Sequence, residues 1–177
     1  MKKKTRNYIL IAIHAIVLLG IAIFIAFYLI FLSPNITEVE GFEYLYIRPH
    51  DSLEDVFKQL DKKSTIKRKA TLKLCANRLK YTQNVKSGRY PIYNNEANID
   101  LIRRLRSGKQ EPLMLTFNSV RTKSQLAGRI SNQIMADSSQ IDSLLNDKDF
   151  IAQYQFEPHT IISMFIPNTY EFYWNTD

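Results

Sequence analysis

Several shortages in this chain narrow its chemistry before any motif is read. Cysteine occurs once, at Cys75, so no internal disulfide is available and stability rests on packing. Cys75 lies among Leu72, Leu74 and Leu79 and reads as a small core residue. The three histidines, His14, His50 and His159, are far apart, and there is no His-x-x-x-His or Cys-x-x-Cys pair, so no metal site is expected. The five glycines form no phosphate-cradling loop, and no cofactor is expected. The net excess of charge outside the first residues is also small. The net charge is +7, of which the four cations of residues 1–7 supply +4, leaving +3 for residues 8–177. That is no nucleic-acid footprint.

What the chain does have begins at its N-terminus. Lys2, Lys3, Lys4 and Arg6 precede an uncharged run from Tyr8 to Leu32, long enough to cross a hydrocarbon core with some tilt. No Ala-x-Ala pattern follows near Ser33 and Pro34, so the run reads as an uncleaved signal anchor rather than a cleaved signal. The basic flank favours the cytoplasm, which puts Ser33 onward outside. In a bacterium this means a single pass through the inner membrane, with the bulk of the chain periplasmic or extracellular. A basic band from Lys62 to Arg89 has two readings, a solvated helix face or contact with an anionic polymer or membrane surface.

Beyond a linker at 33–43, the pattern predicts a strand at Tyr44–Ile47. A helix follows, opened by His50-Asp51-Ser52, with Asp51 and Glu54 at capping-box spacing and Leu53, Val56, Phe57 and Leu60 on one stripe. A second helix is expected from Thr65 to about Leu79, burying Ile66, Ala70, Leu74 and Cys75. Arg89–Tyr93 reads as an edge strand because of Pro91. Asn98 should cap a helix ending at Gly108, Leu113–Phe117 should be a strand, and Thr122 should cap the next helix. One helix is expected over Asp137–Tyr154, and a terminal strand from near Ile161. Tyr44, Tyr46, Tyr81, Tyr90 and Tyr93 suit either sugar stacking or a small core. The aromatic cluster Phe172-Tyr173-Trp174 falls just before Asp177, with nothing after it to cover it; this predicts an incomplete domain.

The ordered features resemble the YceG-like family, the endolytic murein transglycosylases also called MltG. Ser87-Gly88-Arg89-Tyr90 looks like the family's G-x-Y strand. Leu101-Ile102-x-x-Leu105-x-x-Gly108 is similar to the helix that follows it, and Arg121-x-x-x-Gln125-Leu126-Ala127 to a later helix entry. Met164-Phe165-Ile166-Pro167-Asn168-Thr169-Tyr170 resembles the block ending Pro-Asp-Thr-Tyr. This chain departs from that pattern at Asn118-Ser119, at Ile162-Ser163 and at Asn168.

The resemblance implies an α+β protein. Its parts would be a basic tail at 1–7, a transmembrane helix at 8–32, the linker, a LysM-like β-α-α-β subdomain at 44–110, and the incomplete start of a transglycosylase domain at 111–177. It also implies a lytic murein transglycosylase that cleaves nascent peptidoglycan glycan strands to anhydro-muramyl ends, with wall-synthesis enzymes as further partners. The family's catalytic glutamate lies in a helix expected past Asp177, so no residue here is assigned as the acid; Glu171 is the weak fallback and Glu157 weaker still. Asn168, Thr169 and Tyr170 either line the glycan cleft or form a scaffold turn. The alternative is a non-catalytic, membrane-anchored peptidoglycan-binding module, or a structural partner of the wall-synthesis machinery.

Overall fold

An apolar run without partners satisfies its backbone groups by coiling, and the N-terminal run does so. In the computed structural model, which describes residues 2–118 and 120–176, helix α1 spans Lys2–Phe27 and closes in a π-helical turn, Tyr28–Leu32. Side chains are described from Asn7 onward; those of Lys2, Lys3, Lys4 and Arg6, together with Ser119 and Asp177, lie outside the described residues. The stretch Asn7–Leu32, with mean hydropathy 3.0, is long and apolar enough to cross a membrane. The ring of His14 satisfies itself locally, with Nδ1 2.7 Å from the carbonyl of Leu10 one turn earlier.

The protein divides into two compact units, interleaved along the chain. The first comprises residues 1–43, 52–85 and 92–107, the second 44–51, 86–91 and 108–177. These limits differ from 44–110 and 111–177. The stretch 33–43, expected as a linker, instead carries strand β1, Pro34–Thr37, with Ile36 fully buried. It follows the span directly because β1 is the middle strand of a three-stranded sheet. Its antiparallel partners are β3, Thr65–Ile66, and β5, Glu96–Ala97, with Ile36 opposite Ile66 on one side and Glu96 on the other.

Strand β2, Glu43–Ile47, leads to helix α2, Leu53–Lys63. The cap is Ser52, whose hydroxyl accepts from the Asp55 amide while the Asp55 carboxylate accepts in return from the Ser52 amide. The box therefore sits one residue later than the Asp51–Glu54 spacing suggested, because Asp51 instead folds back onto the Arg48 amide at 2.7 Å. Helix α3 spans only Lys69–Arg78, since Thr65 and Ile66 are taken by β3. Its phase shifts accordingly: Leu72, Cys75 and Ala76 are buried, while Ala70 and Leu74 face out. Burial pushes the Cys75 thiol up to about 11, the behaviour of an inert core thiol. Strand β4, Gly88–Ile92, pairs with β2 in a separate two-stranded sheet.

Helix α4, Asn98–Ser107, buries Leu101, Ile102 and Leu105. Asn98 does more than cap it. This fully buried amide donates to the carbonyl of Ile30 at 2.7 Å and to the Thr71 hydroxyl at 3.1 Å, and accepts from the Asn35 amide at 2.7 Å. Beside it, Glu96 pairs with Arg104 at 2.6 Å, both side chains largely buried, and the Arg104 guanidinium lies 4.6 Å above the Tyr93 ring.

In the second unit, strand β6, Leu113–Phe117, precedes helix α5, Lys123–Ser131, capped by Thr122 as expected. The expected single helix over 137–154 is broken into α6, Ser138–Leu144, and α7, Lys148–Ala152. Asp147 makes the break by accepting from the amides of Asp149 and Phe150, starting a new helix in place of continuing the old one. Strand β7, Asn168–Phe172, begins later than Ile161. Residues Ile161–Met164 form a 3-10 turn instead, because Glu157 and Thr160 take up the local amides and carbonyls. Leu115, Phe117, Leu126, Ile130, Leu145, Ile151 and Ile161 form the core of this unit.

Candidate functional site

Strands β6 and β7 run antiparallel with Leu115 opposite Tyr170, Thr116 opposite Thr169 and Met114 opposite Glu171. Alternation gives this ladder two unlike faces. Leu113, Leu115, Phe117 and Tyr170 point to the core side, while Met114, Thr116, Thr169 and Glu171 share the outer face. The Thr116 and Thr169 hydroxyls stand 2.9 Å apart in a hydrogen bond, which leaves each with capacity for an outside partner. Gln133 holds the β6 edge from the side. Its carbonyl accepts from the Thr116 amide and its amide donates to the Thr116 carbonyl, both at 3.1 Å.

The structure distributes the sequence-selected residues unequally. Thr169 and Glu171 lie exposed on the outer face. Asn168 is exposed at the strand's start, its carbonyl accepting from the Thr169 amide at 2.8 Å. Tyr170 turns away from them. Its ring stacks on Phe117, centroids 5.5 Å apart, and its hydroxyl donates to the Ile166 carbonyl at 2.8 Å. Glu157 is exposed beside His159, 3.3 Å away. Sequence reasoning passed over Met114, Thr116 and Gln133. The in-out alternation of Leu113–Phe117 marked Met114 and Thr116 as outward, but only the long-range pairing with β7 gives them neighbours.

The aromatic end of the chain is not bare. Trp174 is 9% exposed, standing edge-on to Tyr46, and its carbonyl accepts from the Met135 amide at 2.7 Å. The next residue, Asn175, donates to the Ser87 hydroxyl at 3.1 Å. The expectation of an uncovered cluster therefore fails at Trp174, because β2 supplies an aromatic partner distant in sequence; Tyr173, 52% exposed, remains outside. Of the tyrosines considered for sugar stacking, Tyr81 and Tyr90 are fully buried, and burial pushes the Tyr90 hydroxyl up to about 12. Tyr44 lies beneath the Arg89 guanidinium at 3.5 Å.

The first unit has a groove of about 200 Å³ floored by Phe57, Ile66 and Leu72, with Glu54, Lys58, Asp61 and Lys69 around it. Among the described residues no three His, Cys, Asp or Glu side chains are grouped to hold a metal ion. The buried carboxylate among them, Glu96, is occupied by Arg104.

Residues 45–177 match the YceG-like family. A crystal structure of a protein from Listeria monocytogenes, described as yceG-like, is similar at 19% identity with a TM-score of 0.45, covering 75% of this chain and 48% of that one. The chain thus spans about half the length of that structure. No curated protein matches it.

Proposed function

Since the chain belongs to the YceG-like family, we propose that it is the membrane-anchored part of an endolytic murein lytic transglycosylase, acting on nascent peptidoglycan strands at the bacterial inner membrane. The observation that carries this reading is the family match over 45–177, which includes the Pro167-Asn168-Thr169-Tyr170 block. In this reading the basic tail stays cytoplasmic, Ser33 onward lies outside, and the stretch from β2 to β4, with β3 between its two helices, is the LysM-like unit. Wall-synthesis enzymes are the partners it implies.

Lytic cleavage needs few groups. A carboxylic acid gives its proton to the glycosidic oxygen as the C1–O bond breaks. The sugar's own 6-hydroxyl oxygen then bonds to C1 and returns its proton to the carboxylate, so neither water nor a second carboxylate takes part. The intramolecular attack gains from high effective molarity. The outer face of β6 and β7 supplies binding elements: two hydroxyls for sugar hydroxyls, Met114 as an apolar floor, and the Glu171 carboxylate as an acceptor. Glu171 stands in solvent without the apolar enclosure of a proton donor, so it serves contact with glycan. In this reading none of the described carboxylates is assigned as the proton donor.

One observation favours a second reading, glycan holding without chemistry: the buried carboxylate among the described residues already belongs to an arginine pair. One assay separates the two. The full chain in lipid nanodiscs is incubated with isolated glycan strands, then strand retention and anhydro-muramyl ends are measured by mass spectrometry. New anhydro ends establish cleavage by this chain. Retention without them leaves a holding module, and the absence of both overturns the proposal.

A further inference from the structure

The join between span and first unit has no slack, and this has a consequence for what touches the first unit. The inference rests on the anchor reading given above. Tyr8 to Leu29 is exposed apolar helix, roughly 33 Å at 1.5 Å per residue, close to the hydrocarbon thickness of a bilayer. Protein begins to cover the run from there: Ile30 and Phe31 are half-buried, Leu32 is still exposed, and Ser33, Asn35 and Ile36 are buried. A helix end leaves carbonyls without intrahelical partners, and here the first unit supplies them. Asn98 donates to Ile30 and Arg68 to the Pro34 carbonyl at 3.2 Å, while Arg68 also bonds the Ser33 hydroxyl. The surface beside that join is therefore held at the level of the lipid headgroups.

Helix α3 is part of that surface. Thr71 shares the Asn98 amide that caps the span, and Leu74 and Arg78 follow Thr71 along the same side at i+3 and i+7. Leu74 is 41% exposed and Arg78 is exposed. Just before the helix, exposed Lys67 is fixed by its amide to the Asn35 carbonyl at 3.0 Å. The helix contains no acidic residue. Lys69 and Lys73 are turned to Asp61 and Glu54, but among the described residues Lys67 and Arg78 have no acidic partner. Two unpaired cations flanking an outward leucine fit a surface that is anionic above and apolar below.

We infer that the Lys67–Leu74–Arg78 side of α3 rests on the membrane and takes the phosphates of anionic phospholipid headgroups. The full chain is placed in nanodiscs of equal phosphatidylglycerol and phosphatidylcholine, then released and examined by native mass spectrometry for retained lipid. A basic residue near an anionic surface is worth roughly a fivefold preference, so K67Q/R78Q should lower phosphatidylglycerol enrichment about 25-fold. The tail cations are common to both proteins and cancel in that comparison. Equal enrichment in both proteins overturns the inference.

A competition arm separates the sources of phosphate. Loss of the enrichment to soluble poly(glycerol phosphate), at a concentration where inorganic phosphate has no effect, would assign the surface to an anionic polymer and overturn the lipid assignment. Enrichment that survives both competitors supports it. Alkaline carbonate extraction reads the anchor separately. A chain extracted by carbonate overturns the anchor reading, whereas one that resists extraction but shows no lipid preference overturns only the headgroup contact.

Discussion

Tyr46 and Trp174 meet edge to face, ring centroids 5.1 Å apart and planes at 68°, joining a strand near the start of the second unit to the residue beyond its last strand. Trp174 is the chain's single tryptophan, which makes the contact readable in solution. Its emission should be blue-shifted and poorly quenched by iodide. Trp174→Ala should cost about 3 kcal/mol by urea unfolding, the lower end for removal of a large buried aromatic, with Trp174→Phe intermediate. Red-shifted, quenchable emission would show the ring to be outside.

Asn98 offers a sharper loss. Asn98→Ala leaves the Ile30 carbonyl and the Asn35 amide without that partner in a buried place, and should destabilise by about 2–3 kcal/mol. Asn98→Asp should do no better, since it removes the donor. Thermal unfolding of the detergent-solubilised chain measures both.

Glu96 governs a pH response. Burial raises its carboxyl above the ordinary 4.5, with Arg104 pulling the other way. A carboxyl that holds its proton more tightly folded than unfolded adds stability that is complete below about pH 4.5 and is lost as pH rises through the folded value. Glu96→Gln should flatten that decline in a series of unfolding midpoints from pH 4 to 8. Arg104→Met should steepen it and cost about 3 kcal/mol at neutral pH, because the buried carboxylate loses its counter-charge.

Gly108 closes α4 with a left-handed φ of 75°, and a Cβ there would come 2.8 Å from Cδ of Lys86. The lysine stem can yield, but the backbone cannot. Gly108→Ala should lose about 1 kcal/mol and Gly108→Asn less, by chemical denaturation.

On the β6–β7 face, Thr169→Val and Glu171→Gln should leave the unfolding midpoint within about 0.5 kcal/mol, as surface changes do. Each should weaken retention of glycan strands severalfold if that face holds them. Tyr170→Phe should do the reverse, losing about 1 kcal/mol of stability with its bond to Ile166 while leaving retention unchanged.

Local signals proved legible where one side chain decides the structure. Thr122 and Gly108 mark helix ends in sequence and in space, and Val56 and Leu60 mark the buried stripe of α2. Long-range pairing was not legible. Thr65 and Ile66 look like a helix entry, yet β1 recruits them as a strand, and this shifts the phase of α3 so that Leu74 faces out. The covering of Trp174 by Tyr46 and the pairing of Thr116 with Thr169 likewise depend on contacts far apart in the chain. In the candidate site, strand alternation puts Glu171 opposite to Tyr170, but it does not show that the Tyr170 ring is committed to Phe117.

Because Asn98 grips the last turn of the span, the first unit cannot swivel freely about its stalk. In the anchor reading, a bilayer thinner than the helix's apolar length would make it tilt, and that displacement would load the Asn98–Ile30 bond and the Arg68 contacts. In that reading bilayer thickness would be a mechanical input to the first unit, delivered as torque through a joint that a flexible leash would have left slack.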